Sequence, residues 1–420
     1  MKEENMTEFV ELTAEEYGKF YASSDQRTFL NSPEAMEHLR MRNRDIIYFG
    51  VKKNGTLAGA CALSSFAIAK KMFRCYYAQR GFMLDYSDEE VLHCMCENVK
   101  KYAKKHRGLF LIIDPYINYY ELDIEGKRVE GGYDNSYVAA NLKKEGFIHR
   151  EFTFDNSQRS QAAFMFVMDL TDRTEAQVLK EISQQTRWCI NRTIKQGVGV
   201  RELSEDELDI FIRMEEKTAK RRNFDMYSDS YYKQMYEAYG DHMKVLLASL
   251  SPLHLLEALS KEAEALEKEK AEIEEKLQET PGSRKFLKKQ KVNEEAFEIN
   301  AKKQAEAREL QEKYGDEIHL ASSIFTVYDN ECVYYASAAE EEFRNYFGPY
   351  AIQWYMIRWC IEHHVNRYNF YGISGDFSED ADDYGVYEFK KGFGGTVEQM
   401  IGDFILVLNK PAYALYEKLK

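Results

Sequence analysis

The stretch LEALSKEAEALEKEKAEIEEKLQETPGSRKFLKKQKVNEEAFEINAKKQAEARELQEKY, Leu256–Tyr314, decides how the rest of the chain is read. Its composition switches to Glu, Lys, Ala, Leu and Gln, and its apolar residues recur at spacings of three and four. Leu256, Ala263, Lys270 and Leu277 take one heptad position, and Leu259, Leu266 and Ile273 take the other. Thr280-Pro281-Gly282-Ser283 supplies a turn. Beyond it, Val292, Ala296, Ile299, Lys303, Glu306 and Leu310 continue a weaker seam. Two helices of roughly 25 residues each predict an antiparallel hairpin arm about 40 Å long.

The flanks make the arm an insertion between strands. Met243–Ser249 (MKVLLAS) precedes it, and Leu320–Tyr328 (LASSIFTVY) and Glu331–Ala336 (ECVYYA) follow, paired around an Asp329-Asn330 turn. Outward from there the chain reads as mixed α/β. Strands are expected at Ile46–Lys52, Gly59–Ile68, Arg74–Tyr77, Leu109–Ile113, Arg367–Tyr371 and Gly402–Val407. Helices are expected at Asp88–Lys104, Glu175–Gln196, Glu205–Lys220, Ser230–Tyr239 and Tyr350–His363. Strands, a helix, then a strand ending in polar residues occur twice, which predicts two similar α/β units.

Composition narrows the function. The 420 residues are 44% hydrophobic and 14% aromatic, enough for packed cores. A net charge of -14 excludes a generic polyanion binder but leaves room for a local basic groove. The arm carries 15 Glu against 13 Lys and Arg, so the acidity belongs to the body. Seven scattered Cys suit reduced thiols rather than a disulfide framework. Met1–Phe20 lacks an apolar signal region, and Asn54–Lys70 is too short and mixed to span a bilayer, so a cytoplasmic protein is expected. His93-Cys94-Met95-Cys96 is the one metal-like cluster, but it lies in a helical pattern where residues two apart diverge, and no metal site is expected there.

Several segments combine polar groups and aromatics where strands end. Tyr76-Tyr77-Ala78-Gln79-Arg80-Gly81 is one. In Leu109–Tyr116 (LFLIIDPY) an apolar strand ends on Asp114, and Pro115 stops the ladder; the carboxylate reads as a turn former or a general base. Arg187, Asn191, Arg192 and Lys195 share one helix, and Lys217–Arg222 (KTAKRR), with Arg221 and Arg222, is a second basic cluster. Such clusters neutralise phosphates or simply form a solvated helix face. The densest segment is Tyr346–Gly402. Gly348-Pro349-Tyr350 opens a helix carrying Gln353, and Phe389-Lys390-Lys391-Gly392 puts a Lys at a Gly-flanked turn, where it can bind phosphate or stabilise an oxyanion. The Glu379–Asp383 run lacks calcium-loop spacing, and Gly-Ile-Ser374-Gly is no nucleophile elbow.

Together these segments resemble the Fem family (FemABX and MurM-like) of aminoacyl-tRNA-dependent peptidyltransferases, and within it the FemA and FemB branch. The resemblance rests on Tyr76–Tyr86, Leu111–Tyr116, Arg187–Arg201, the hairpin insertion and, above all, Phe347–Phe393, closing with Ile401–Phe404. It implies two tandem GNAT-like units of an α/β (α+β) fold: residues 1–155, and residues 156–251 with 317–400. The arm, 252–316, is inserted in the second, and 401–420 is expected to pack back on the first. It implies transfer of Gly, Ala or Ser from aminoacyl-tRNA to the interpeptide bridge of a peptidoglycan precursor, lipid II or UDP-MurNAc-pentapeptide, in a Gram-positive bacterium. The activated ester calls for no cofactor. A precursor carried on lipid implies peripheral contact with the inner membrane face, and related transferases imply homo- or hetero-oligomers.

The same resemblance assigns residues. Lys390 maps to the family's Phe-Lys pair beside Phe389 and is expected to stabilise charge; Asp114 is a weaker candidate for proton transfer. Tyr335, Tyr231, Arg80 and Gln353 map to substrate positions. Tyr227 stands where an Arg is expected, and Arg40 is the nearest cation to the family's N-terminal phosphate contact. Arg187, Arg192, Lys195, Arg221 and Arg222 are the expected tRNA contacts. Two other readings compete. An acyl-CoA-dependent N-acyltransferase would need a pyrophosphate loop that Phe389–Gly394 matches poorly. A non-catalytic coiled-coil adapter would leave the Lys-bearing C-terminal segment without a purpose.

Overall fold

The computed structural model describes residues 6–150, 152 and 159–419. The unit boundary expected at 155–156 lies outside them. The chain begins with β1 (Thr7–Leu12), α1 (Ala14–Ser23), α2 (Pro33–Met41), β2 (Asp45–Lys53), β3 (Thr56–Ile68), β4 (Phe73–Ala78), β5 (Met83–Leu84), α3 (Glu89–Lys105), β6 (Gly108–Ile113), β7 (Asn118–Glu121), α4 (Ser136–Lys144) and β8 (Ile148–His149). It continues with β9 (Phe164–Asp169), α5 (Glu175–Glu181), α6 (Gln184–Lys195), β10 (Val198–Glu202), α7 (Leu208–Arg222), α8 (Asp229–Tyr239), β11 (Met243–Leu250), α9 (Pro252–Glu279) and α10 (Arg284–Tyr314). It closes with β12 (Ile318–Tyr328), β13 (Glu331–Ala339), α11 (Gly348–Glu362), β14 (Arg367–Ile373), α12 (Tyr384–Gly392), β15 (Thr396–Met400), β16 (Phe404–Val407) and α13 (Lys410–Leu419).

Two eight-stranded sheets form. The first runs β1-β2-β3-β4-β6-β16-β8, with β5 on β3; the second runs β10-β11-β12-β13-β14-β9-β15-β7. The sheets exchange strands. β7 comes from the N-terminal stretch yet joins the second sheet, and β16 from the C-terminus pairs with β6 of the first, Phe404 opposite Ile113. α13 follows β16 and lays Tyr413 and Tyr416 against Phe110. The clearest joint is a mixed core. Tyr17, Phe29 and Met36 from α1, α2 and the loop between them pack with Phe211, Tyr232 and Met235 of α7 and α8 and with Val333 of β13. Burying such side chains is worth about 1.5–3 kcal/mol each, which fixes α2 against α8.

Each sheet contains one parallel pair flanked by antiparallel neighbours. β4 and β6 run parallel from Arg74 to Ala78, and β13 and β14 run parallel for only three residue pairs, Glu331–Val333 against Arg367–Asn369. Beyond those the second pair diverges. Tyr335 and Tyr371 therefore lie past the end of the β13–β14 pairing, with ring centroids 5.9 Å apart.

Local sequence explains two departures from expectation. The single helix expected over Glu175–Gln196 is two, because Ser183 turns extended and caps α6, its hydroxyl accepting from Thr186 N at 3.1 Å. The arm is inserted between the adjacent strands β11 and β12 as the flanks imply; in its second seam Ala296, Lys303 and Leu310 are half-buried as expected, but the other heptad position is not the expected one. Along α9, Leu255, Leu259 and Ile273 are buried, with Ala263, Leu266 and Leu277 half-buried. On α10 the inward residues are Asn293, Asn300 and Ala307, with Phe297 and Gln304 beside them, whereas Val292 and Ile299 are more than half exposed. The seam is one residue off the apolar count because both Asn amides donate to α9 carbonyls, Asn293 to Leu266 and Asn300 to Leu259, each at 3.0 Å. A buried amide whose N–H is satisfied in this way is tolerated in a seam and fixes its register.

Candidate active site

The diverging ends of β13 and β14, α8 and the C-terminal end of α2 enclose two adjoining cavities. The larger, about 440 Å³, is lined by Gln161, Glu215, Tyr227, Tyr232, Tyr335 and Tyr371 among others. The smaller, about 100 Å³, shares Gln161, Tyr227 and Tyr335 and adds His38, Arg42 and Tyr231. Tyr231 and Tyr335 are joined hydroxyl to hydroxyl at 2.6 Å, and Tyr227 stacks on Tyr231 with centroids 3.9 Å apart. Burial pushes the Tyr335 and Tyr371 phenols up, so both keep their protons at neutral pH and can donate hydrogen bonds to a substrate.

Tyr371 is the centre of this arrangement, although no role at the site was expected of it. Its φ is +60°, unusual for a bulky residue, and the β14–β9 register slips between Asn369 and Gly372 around it. The backbone is held there from both sides: Tyr371 N donates to Asn369 Oδ1 at 2.8 Å, and Lys390 Nζ donates to the carbonyls of Tyr371 at 3.2 Å and Gly372 at 2.5 Å. The Tyr371 hydroxyl donates to Gln161 at 3.2 Å.

Lys390 is buried, and that burial lowers it to about 7, with Asp383 pulling the other way. It lies behind Tyr371 rather than on a cavity wall. Phe389 packs edge-on to Tyr350 and Phe393 and belongs to the core rim. Asp114 also stands behind the cavity. It accepts from Arg80 N at 2.7 Å, and the Arg80 guanidinium, itself buried, is 3.6 Å from its other oxygen. Burial raises Asp114 to about 7 although Arg80 opposes this. Arg80 also reaches the carbonyl of Ala162, a lining residue of the larger cavity, at 3.4 Å. Lys390 thus holds the Tyr371 backbone, and Asp114 holds Arg80.

Two further expected contacts are not brought to the cavities. Gln353 is fully buried in the second core, accepting from the Tyr368 hydroxyl at 2.7 Å, because its helix turns that face onto the sheet. Arg40 donates to the Tyr48 hydroxyl at 3.0 Å and to Glu37 at 3.2 Å, on the other side of α2. The cation lining the smaller cavity is Arg42, two residues on, where the helix has rotated toward α8; its guanidinium lies 4.7 Å from the Tyr231 ring.

The basic residues divide. Arg192 and Lys195 line a crevice of about 860 Å³ between α6 and the root of the arm, together with Trp188, Lys302 and Lys303. Trp188 is half exposed there. Arg187 donates to the carbonyl of Ile182, and Arg221 to that of Ala339, both at 3.3 Å, so these two and the exposed Arg222 lie outside the crevice. Among the described residues no group of His, Cys, Asp and Glu could hold a metal ion, and no helix is long and apolar enough to cross a membrane.

Comparison with known proteins places the chain in a family. The profile of the FemAB family matches residues 12–420. The chain is 33% identical over 413 residues to aminoacyltransferase FemA of Staphylococcus aureus, covering 98% of each. It is 33% identical over 416 residues to aminoacyltransferase FemA of Staphylococcus epidermidis, covering 98% and 99%. Among solved structures, the crystal structure of FemX matches with a TM-score of 0.79 at 23% identity, covering 98% of this chain and 100% of that one. A tandem GNAT protein from the clavulanic acid biosynthesis pathway matches at 0.51 and 11% identity, covering 96% and 99%. The chain belongs to the FemAB family, and its fold is that of a tandem GNAT protein carrying an inserted helical arm.

Proposed function

We propose that this protein is an aminoacyltransferase that moves an amino acid (Gly, Ala or Ser) from aminoacyl-tRNA to the bridge amine of a peptidoglycan precursor. The observation that supports this most is the tyrosine-walled cavity at the diverging ends of β13 and β14, where strand separation leaves room for a substrate beside Tyr335 and Tyr371.

The chemistry asks for three things. The two substrates must meet in a fixed geometry, the acceptor ammonium must lose a proton, and the tetrahedral oxyanion must be stabilised. Tyr335 and Tyr371 offer hydroxyl donors on the cavity wall. Lys390 adds positive charge from behind Tyr371 and holds its carbonyl, so the phenol is set before substrate arrives. Asp114 anchors Arg80 and serves positioning. Arg42 is suited to a phosphate of the acceptor, taking the place expected of Arg40. The crevice with Arg192, Lys195, Lys302 and Lys303 is suited to the phosphates of the donor RNA, with Trp188 available for base stacking. An acceptor carried on lipid would bring the protein to the inner membrane face.

The test is a transfer assay. Purified protein is supplied with labelled glycyl-, alanyl- or seryl-tRNA and with lipid II or UDP-MurNAc-pentapeptide carrying zero to four bridge residues. Transfer with one donor and one acceptor length is expected. No transfer with any pair would remove the reading, and transfer from acyl-CoA instead would replace it.

A further inference from the structure

We propose that Glu215 receives the acceptor amine and removes its proton, an inference that rests on the aminoacyl-transfer reading above. Glu215 lies on α7, and its side chain forms part of the wall of the 440 Å³ cavity together with Tyr227, Tyr335 and Tyr371. The residue is only 6% exposed, and its Oε2 has no hydrogen-bond partner among the described residues. An uncompensated buried carboxylate is costly, and the fold gains nothing from it. The Glu216 side chain beside it behaves as an ordinary surface group, 2.7 Å from Lys220. Glu215 sits on the apolar face that α7 turns to the core, between Phe211, Ile212 and Ala219. A carboxylate kept at such a position, lining the substrate cavity with a free oxygen, is suited to a cationic ligand, and the acceptor of this reaction is a primary ammonium.

The step balances without a further reactant. The ammonium passes one proton to Glu215. The freed nitrogen lone pair attacks the ester carbonyl, a C–N bond forms, and the carbonyl electrons move to oxygen. The nitrogen, now positively charged, gives up its second proton to solvent; the intermediate collapses with cleavage of the C–O bond to the tRNA ribose, and the leaving oxygen takes up a proton from protonated Glu215. The product is an amide and free tRNA. Burial raises the Glu215 carboxyl, and the Tyr232 hydroxyl lowers it, bringing it nearer to the proton affinity a base needs. The other charged or titratable groups lining the cavity are Arg159, Asp225, Tyr227, Tyr335 and Tyr371.

The experiment compares wild type, Glu215→Gln, Tyr232→Phe and the surface control Glu216→Gln in steady-state transfer across pH, with thermal unfolding run on each. For wild type, kcat falls as pH drops through the raised Glu215 value, because the base is then protonated. Glu215→Gln keeps the shape of the side chain, so it is expected to lower kcat by roughly 100-fold or more. It also removes that acidic limb, while tRNA affinity stays the same. Tyr232→Phe is expected to move the limb to higher pH, a shift that a purely structural role would not produce. Glu216→Gln is expected to match wild type. If Glu215→Gln folds and transfers at the wild-type rate across pH, the proposal falls while the aminoacyl-transfer reading stands. The proposal falls equally if Tyr232→Phe leaves the limb in place. If wild type transfers from no aminoacyl-tRNA at all, both fall together.

Discussion

Tyr371 is a bulky residue held at φ +60°, a conformation that costs of order 1–3 kcal/mol and persists only when its surroundings impose it. Asn369 and Lys390 impose it here, and the result is a phenol aimed into the cavity. Tyr371→Phe keeps the ring packing against Phe29 and Tyr335 and removes only the hydroxyl. It is expected to lower kcat/KM about tenfold, the loss of one hydrogen bond worth about 1.4 kcal/mol, with only a small drop in melting temperature from the lost Gln161 contact. Lys390 gives a pH signature of its own. A Lys lowered to about 7 is charged below that pH and neutral above it, so the contribution of its charge is lost as pH rises through 7. Lys390→Ala is expected to reduce kcat by roughly 100-fold and to abolish the decline above pH 7; an unchanged rate would take Lys390 out of the mechanism. Motif order made Lys390 and Tyr335 visible in the sequence. Tyr371 and Glu215 were not visible, because a register slip and the inward face of one turn of α7 are products of tertiary packing.

At the scale of elements, the arm was legible and its seam only half so. Heptad spacing located α9 and α10 and the turn between them. Counting apolar residues then chose Val292 and Ile299, which face outward, over Asn293 and Asn300, which face in. Hydrophobicity cannot register an amide that is satisfied by a facing carbonyl. Replacing both Asn by Leu is therefore expected to strengthen the arm while loosening its register, read as slower overall amide exchange but loss of a single set of resonances in the arm. Deleting Leu256–Tyr314 and joining the ends with a short turn is expected to preserve the fold, since β11 and β12 pair directly from Met243 opposite Thr326 to Leu250 opposite Ile318. Because the crevice loses Lys302 and Lys303, tRNA affinity should fall while acceptor affinity holds. A deletion that unfolds the body would make the arm a structural element instead.

For the molecule as a whole, the mixed α/β class and the twofold recurrence of strands and helices could be read from patterning. The way the halves interlock could not, apart from the return of 401–420 to the first unit, which the family resemblance implied. β7 joining the second sheet and β16 joining the first are pairings between residues hundreds of positions apart, Phe404 with Ile113 among them, and local periodicity carries no record of them. The same interlock brings α2 to α8 and so puts Arg42, rather than Arg40, beside Tyr231. The net charge of -14 sharpens the expectation for the donor: RNA must meet a confined basic surface, and its affinity should fall steeply with salt. The most direct measurement is transfer of a labelled amino acid from aminoacyl-tRNA to lipid II by wild type and Lys390→Ala side by side. The account predicts amide-linked product with wild type and roughly 100-fold less with the variant at equal tRNA binding. No product from any aminoacyl-tRNA, or equal product from both proteins, would contradict it.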